Sequence, residues 1–300
     1  MKVLRTFSDV RELTHGSIGL VPTMGYLHEG HLALIDEAAE QCDTVVVSVF
    51  VNPLQFDDAA DLDTYPDDLE RDMELASRHG ADLIFAPDVT EMYPARQRTT
   101  VTVAEVADAM EGEHRRDHFV GVATVVAKLF SGVLPDVAYF GRKDAQQLAV
   151  VTTMARELSM PVEVVGLATV REMDGLALSS RNTRLTRTER RDALTLSQGL
   201  FAAARRFTEG ERRSAPLESA VRDIVVGSAG VELEYVTVAN ASTAEPIDTV
   251  AGSAFLALAA RVGSVRLIDN VFIDGSTGTV DTGVRLEGPS IVYGGDDPCC

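Results

Sequence analysis

The chain has 300 residues, 45% hydrophobic and 24% charged, so it can bury a substantial core and is long enough for two domains. Its formal net charge of −19 at pH 7 speaks against a nucleic-acid partner, because RNA and DNA are held by lysines and arginines that neutralise phosphates. Cys42, Cys299 and Cys300 form no disulfide framework, residues 1–9 lack the apolar stretch of a signal peptide, and no segment reaches the length of a membrane span; the expectation is a cytoplasmic protein without a membrane partner.

In chain order, Ile18-Gly19-Leu20-Val21 predicts a strand, and the following pattern places Leu32, Ile35 and Ala39 on one face of a helix. Between them stands Pro22-Thr23-Met24-Gly25-Tyr26-Leu27-His28-Glu29-Gly30-His31, which puts two histidines three apart in the first helical turn. Unsatisfied backbone N–H groups and the positive end of the helix dipole meet there, so the unit is suited to hold phosphates. Gly25 and Gly30 let the backbone turn tightly and approach a ligand. Two histidines at this spacing also occur on ordinary surfaces, and a metal pair is conceivable. The zinc pattern HExxH, however, needs histidines four apart, and no third ligand of obvious spacing is nearby.

The β-branched run 44–50 predicts a buried strand ending in the loop Val51-Asn52-Pro53-Leu54-Gln55-Phe56. A helix over 66–78, stopped by Gly80, leads to a strand at 83–85. Residues 121–134 read as a helix with Val122, Val125, Val126, Leu129 and Val133 on one side, stopped by Pro135. A strand at 137–140 runs into Gly141-Arg142-Lys143-Asp144, a helix follows over 145–158, and a strand at 162–167 closes the alternation. This order favours a parallel sheet flanked by helices. Beyond it come a charged amphipathic helix over 186–210, capped by Thr186 or Thr188, and strands at 232–238, 254–260 and 265–273, a small α+β arrangement. The expected domains are 1–169 and 170–284, and the Gly-, Ser-, Asp- and Thr-rich stretch from about Asp274 leads into a flexible tail at 285–300.

In so acidic a chain, the basic residues at loop ends are informative: Gly141-Arg142-Lys143-Asp144 and Ser179-Ser180-Arg181-Asn182. Lys143 near a helix start opposes the dipole and is unfavourable without an anion. Gln55 lies in a loop at a strand's C-terminal end, where open α/β sheets bind ligands. Val125 and Val126 read first as ordinary core. His15, His79 and His114 have no motif around them and are expected to face solvent.

Five segments in this order resemble the pantothenate synthetase family, within the HxGH nucleotidyltransferases. They are residues 22–31, Phe50-Val51-Asn52-Pro53-Leu54-Gln55-Phe56, His118-Phe119-Val120-Gly121-Val122-Ala123-Thr124-Val125-Val126, Phe140-Gly141-Arg142-Lys143-Asp144 with Gln146-Gln147, and Asp174-Gly175-Leu176-Ala177-Leu178-Ser179-Ser180-Arg181-Asn182. The resemblance implies an α/β fold, a Rossmann-like doubly wound parallel sheet with a smaller C-terminal α+β domain that carries the Ser-Ser-Arg loop. It also implies ATP-dependent joining of pantoate to β-alanine through a pantoyl-adenylate, with AMP and diphosphate released. As implied, His28, His31, Lys143 and Arg181 are catalytic, with His31 the proton donor. Met24, Gly25, Tyr26, Leu27, His28, Glu29, Gly30, His31, Gly141, Arg142, Lys143, Asp144, Val170, Leu178, Ser179, Ser180 and Arg181 bind ATP. Gln55, Gln147, Met24, Val125 and Val126 bind pantoate, and Gln55 also faces β-alanine. Mg²⁺ is held mainly through the ATP phosphates, with Asp144 an indirect contributor and no dedicated protein metal site. The expected assembly is a homodimer.

The chain departs from the family pattern at Arg142, where Glu is usual, at Ala145, where an aromatic is usual, and at Leu178, where Met is usual. Ala145 and Leu178 remove no chemistry, whereas Arg142 either strengthens the phosphate field or points to solvent. Three rivals remain. Another nucleotidyltransferase would need a second anion site, a tRNA ligase would need a basic surface, and a noncatalytic nucleotide-binding protein would have little use for His28, His31, Lys143 and Arg181.

Overall fold

Strands that are apolar on both faces need cover on both faces, which a helix-flanked parallel sheet provides. Such strands dominate the N-terminal half: β1 (Lys2–Leu4), β2 (Ile18–Thr23), β3 (Thr44–Val49), β4 (Leu83–Phe85), β5 (Val137–Gly141) and β6 (Glu163–Leu167). In the computed structural model, which describes residues 1–56 and 62–293, they form one sheet in the order β1-β4-β3-β2-β5-β6, each neighbouring pair parallel. Leu20, Val21, Val46 and Val47 are fully buried in its centre, each stabilising the fold by about 1.5–3 kcal/mol relative to exposure.

Helix α1 (Phe7–Leu13) joins β1 to β2. From β2 the chain winds outward through α2 (Glu29–Gln41) to β3, and the path from β3 to β4 includes α3 (Leu69–Arg78). Helix α4 (His118–Val133) leads into β5, from which the chain winds the other way through α5 (Ala145–Glu157) to β6. The winding reverses between the adjacent strands β2 and β5, and right-handed crossovers therefore put helices on both faces. The carboxyl end of β2 lies at this switch point, where sheets of this kind hold ligands.

The elements depart from the sequence pattern in several places. Helix α3 starts at Leu69 rather than 66 because Asp68 caps it, its Oδ1 accepting Arg71 N–H at 3.0 Å. Helix α4 starts at His118 and is buried around most of its circumference, not along one stripe. The buried face of α2 is Leu32, Leu34, Ile35 and Ala38; Ala39 is exposed.

The chain divides into two compact units, one comprising Met1–Gly141 with Val150–Leu167 and the other Arg142–Ala149 with Ala168–Cys300. In the second, α6 (Arg187–Thr208) and α7 (Ser214–Val225) pack on an antiparallel sheet. Strands β7 (Val170–Arg171), β8 (Val231–Asn240), β9 (Ser253–Val262), β10 (Val265–Asp274), β11 (Val280–Asp281) and β12 (Val284–Arg285) also belong here, with the sheet order β11-β10-β9-β8. Its core includes Leu196, Leu200, Phe207, Val221, Leu256 and Leu258. Thr186 is the N-cap of α6 and forms a capping box with Glu189. The stretch expected to lead into a tail is ordered locally: β12 pairs with β7, and Ile291–Tyr293 makes a 3-10 turn. Residues 294–300, with Cys299 and Cys300, lie outside the described residues.

Candidate active site

Strand β2 ends at Thr23, whose hydroxyl donates to Ser48 O (2.8 Å) and accepts Gly25 N–H (3.1 Å), which starts the turn into α2. Gly25 has φ +83°, a conformation that favours glycine, and a Cβ there would lie in tight contact, 3.0 Å from both Asp72 Oδ2 and Val49 Cγ1. Tyr26 follows at φ +51°, a left-handed conformation that costs a non-glycine residue about 1–2 kcal/mol. The buried Asp72 carboxylate holds it there, one oxygen accepting Tyr26 N–H and the other Leu27 N–H, each at 2.7 Å. Arg71 donates to Leu27 O (2.9 Å), and its guanidinium lies 4.9 Å from the centre of the Tyr26 ring. Burial raises the Asp72 pKa above the usual carboxylate value, although the two backbone hydrogen bonds lower it.

His28 is the N-cap of α2. Its Nδ1 accepts Gly30 N–H at 3.2 Å, and His31 Nδ1 accepts His28 N–H at 3.3 Å, so two histidines make the capping box. Their rings stack with centroids 4.1 Å apart. A ring nitrogen that accepts a hydrogen bond carries no proton, so these contacts assign both rings as neutral with the hydrogen on Nε2. The helix start thus brings two imidazole rings to the positive end of the α2 dipole.

Beyond β3, the buried Asn52 organises the 3-10 turn Pro53–Gln55. Its Oδ1 accepts Leu54 N–H (3.3 Å) and Tyr93 O–H (2.8 Å), and its Nδ2 donates to Gln55 Oε1 (3.0 Å) and Gly121 O (3.1 Å). Gln55 Nε2 then donates to Met24 Sδ at 3.1 Å, so Asn52 decides which end of the Gln55 amide faces Met24. The Gln55 carbonyl meets Arg115 Nη2 and His118 Nδ1, each at 3.0 Å, which gives the buried His118 a supporting role. Burial pushes the Tyr93 phenol up to about 12, keeping it a donor to Asn52. Val125 and Val126 are buried within α4. Of the unassigned histidines, His15 and His114 are exposed, whereas His79 is half-buried against Asp36 at 2.8 Å.

In the second unit the turn Arg142–Asp144 stands immediately before α5. Lys143 Nζ lies 3.7 Å from Asp144 Oδ2. The Arg142 side chain, partly exposed, pairs with Asp281 (2.9 Å) and lies 5.2 Å from the centre of the Phe272 ring. Gln147 is half-buried in the first turn of α5, beside buried Ala145 and Gln146.

Ser179 caps the 3-10 turn Ser180–Arg184, its Oγ accepting Arg181 N–H at 3.2 Å. Buried Leu178 donates its N–H to Val170 O (3.0 Å), which brings those two candidates together. Buried Asn182 anchors the turn by donating to Ala177 O (3.1 Å) and Glu172 Oε1 (2.8 Å). Glu172 also accepts Tyr293 O–H (2.8 Å) and a hydrogen bond from Arg190, which reaches on to Asp174 at 2.7 Å. Burial alone would lower the Arg190 pKa, but Asp174 and Glu172 raise it well above its ordinary value. Of these supports, Glu172, Arg190 and Tyr293, like Asp72 in the first unit, carry no local sequence signal, since their partners are distant along the chain. The residues 24–31, Gln55, Val125, Val126 and Gly141 belong to the first unit, and Arg142, Lys143, Asp144, Gln147, Val170 and residues 178–181 to the second.

Together these features define a doubly wound α/β protein with an anion-suited helix start at the switch-point strand and two basic turns in an α+β unit. The family described as pantoate-beta-alanine ligase matches over residues 2–272. Pantothenate synthetase of Heliobacterium modesticaldum is 47% identical over 280 residues, covering 90% of this chain and all of that protein; the one from Pelotomaculum thermopropionicum is 48% identical over 279 residues, covering 91% and 99%. The crystal structure of pantothenate synthetase from Thermus thermophilus superimposes with a TM-score of 0.86 at 44% identity, over 90% of this chain and 98% of that one. Pantoate-beta-alanine ligase from Francisella tularensis, complexed with beta-gamma ATP and beta-alanine, superimposes with a TM-score of 0.72 at 30% identity, over 90% and 97%. The chain belongs to the pantoate-beta-alanine ligase family, and with it to the AMP-forming ligases.

Proposed function

We propose that this chain condenses pantoate with β-alanine at the expense of ATP, through a pantoyl-adenylate, in the cytoplasm and as a homodimer. The observation that carries the mechanism is the capping box of His28 and His31, which fixes two stacked imidazole rings at the start of α2. In the first step a pantoate carboxylate oxygen attacks the α-phosphorus, the bond to the β-phosphate bridging oxygen breaks, and pyrophosphate leaves. Negative charge grows on the phosphoryl oxygens, and fixed donors aimed at it are the main catalytic resource. His28, His31, Lys143, Ser179, Ser180 and Arg181 supply those donors, with His31 Nε2–H nearest in kind to a proton donor. In the second step the β-alanine amine attacks the adenylate carbonyl, the carbon–oxygen bond to phosphate breaks, AMP leaves and the nitrogen loses a proton.

Gln55 and Gln147 take the polar groups of pantoate, with Met24, Val125 and Val126 beside its methyl groups, and Gln55 also faces β-alanine. Nitrogen donors and cationic side chains suit phosphate oxygens rather than Mg²⁺, a hard cation that prefers oxygen ligands. Asp144 is the carboxylate among the basic-turn residues that fits a Mg²⁺ held chiefly by ATP, and the ion would neutralise phosphate charge when bound. Homodimer formation fits β6, an edge strand of the sheet in which Val164, Val165 and Leu167 are only half-buried.

The test is exchange of labelled pyrophosphate into ATP. It is expected to require pantoate and Mg²⁺ but not β-alanine, and addition of β-alanine should then yield pantothenate and AMP in equal amounts. Exchange that appears only with β-alanine present would overturn the order of steps.

A further inference from the structure

The turn Arg142–Asp144 stands between β5 and α5 in the chain, yet it belongs to the unit formed by residues 168–300, and Asn270 of β10 ties it there. Asn270 is buried, and its Nδ2 donates to both Arg142 O (3.0 Å) and Lys143 O (2.6 Å). A side-chain amide nitrogen has two hydrogens, and these two carbonyls use both. Reversing the amide would set its oxygen against two carbonyl oxygens, so the orientation is determined. Its Oδ1 has no hydrogen-bond partner among the described residues, so the amide serves this turn alone.

Asn270 is itself held rigidly. Its N–H donates to Asp269 Oδ1 (2.7 Å), and its carbonyl accepts Arg171 Nη2 (2.9 Å). Arg171 is fully buried, and all five of its N–H donors are used: on Thr282 O, on Gly175 O (3.1 Å), on both Asp269 oxygens (2.8 and 2.9 Å) and on Asn270 O. The next residue, Glu172, holds Asn182 and with it the turn that carries Ser180 and Arg181. Adjacent residues of one buried network therefore anchor both basic turns.

We propose that Asn270 is a positioning residue for Lys143: it sets the Lys143 backbone in fixed geometry to the Ser179–Arg181 turn, so that the two turns meet the triphosphate as a preformed pair. The proposal rests on the phosphate roles given above to Lys143, Ser179, Ser180 and Arg181. Misplacing a reacting group by about 1 Å can cost about a hundredfold in rate, so a lost anchor should read out in catalysis.

The experiment is a double-mutant cycle on the full chain, read by pantoate-dependent ATP–pyrophosphate exchange, with thermal melts run alongside. Asn270→Ala is expected to slow exchange by roughly 10- to 100-fold. Asn270→Ser, which keeps one short donor, should lie between it and the unaltered chain. In a Lys143→Ala background the same Asn270→Ala change should cost less than about threefold, because its effect runs through Lys143. A full, additive loss in both backgrounds would overturn the proposal, as would unaltered exchange in Asn270→Ala. Loss of the folded state in both Asn270 variants would also overturn it, since Asn270 would then serve the fold alone. Unaltered exchange in Lys143→Ala would instead remove the phosphate reading beneath it, a result distinct from failure of the anchor.

Discussion

A single buried carboxylate, Asp72, holds the backbone of the histidine turn through one hydrogen bond from each oxygen. Asp72→Asn replaces one acceptor with an N–H₂ group that faces a backbone donor, and should cost about 1–3 kcal/mol of stability together with slower adenylate formation. The pH dependence has a definite sign. Burial raises the Asp72 pKa in the folded state, so the folded chain binds this proton more tightly than the unfolded one. The contribution of this group to stability therefore grows as pH falls through its folded pKa, and is lost as pH rises through it. Protonation does, however, weaken the acceptor that holds Tyr26 and Leu27. The expected outcome is an acid limb in activity above the usual carboxylate range while the fold persists, seen by rate profiles and melts from about pH 8 down to about pH 4. An identical acid limb in Asp72→Asn would assign that limb to another group. Asp72 was not legible in the sequence, because nothing local marks an aspartate whose partners lie on another element.

At the scale of elements, α4 and the Pro53–Gln55 turn touch through a glycine. A Cβ on Gly121 would stand 2.3 Å from Leu54 O and 2.8 Å from Gln55 N, so Gly121→Ala must push the turn away and with it the Gln55 amide. Overpacking of this kind costs about 1–3 kcal/mol. With Gln55 assigned to pantoate, the KM for pantoate should rise about tenfold or more, the equivalent of one lost hydrogen bond to a buried group, while ATP affinity by calorimetry stays near normal. Equal loss of both would show that the change spreads beyond the turn. The sequence pattern located the segment and its helix but not their contact. It also left 211–231 unassigned, although Leu217, Ala220, Val221 and Val225 recur at helical spacing in α7. Pro216 lies in the first turn of that helix, where the missing N–H costs nothing, but in a linear reading it resembles a breaker.

For the molecule as a whole, the second unit encloses the Arg171–Asp269 pair. Both side chains are almost completely buried, so Arg171→Met leaves a carboxylate charge uncompensated in the interior and should cost about 3–5 kcal/mol. The Arg142–Asp281 pair is partly exposed, and Arg142→Met should cost no more than about 1 kcal/mol. Denaturant midpoints of the two variants, measured side by side, check the ranking. Comparable midpoints would mean that the network around Arg171 relaxes enough to resolvate Asp269.

The alternation of strands and helices from Ile18 to Leu167, the parallel sheet, the histidine pair at a helix start and the two basic turns were legible in the sequence alone, because each rests on short-range periodicity, capping or turn chemistry, whereas β1, α1 and α7 were not read from it. Tertiary structure decided what no local pattern encodes. It gave Arg142 to Asp281 and Phe272, made a capping box of His28 and His31, and placed residues 142–149 with the C-terminal unit rather than with the strand that precedes them. These outcomes depend on buried polar groups finding partners across long stretches of chain, and such pairings exist only once the hydrophobic cores have brought the elements together.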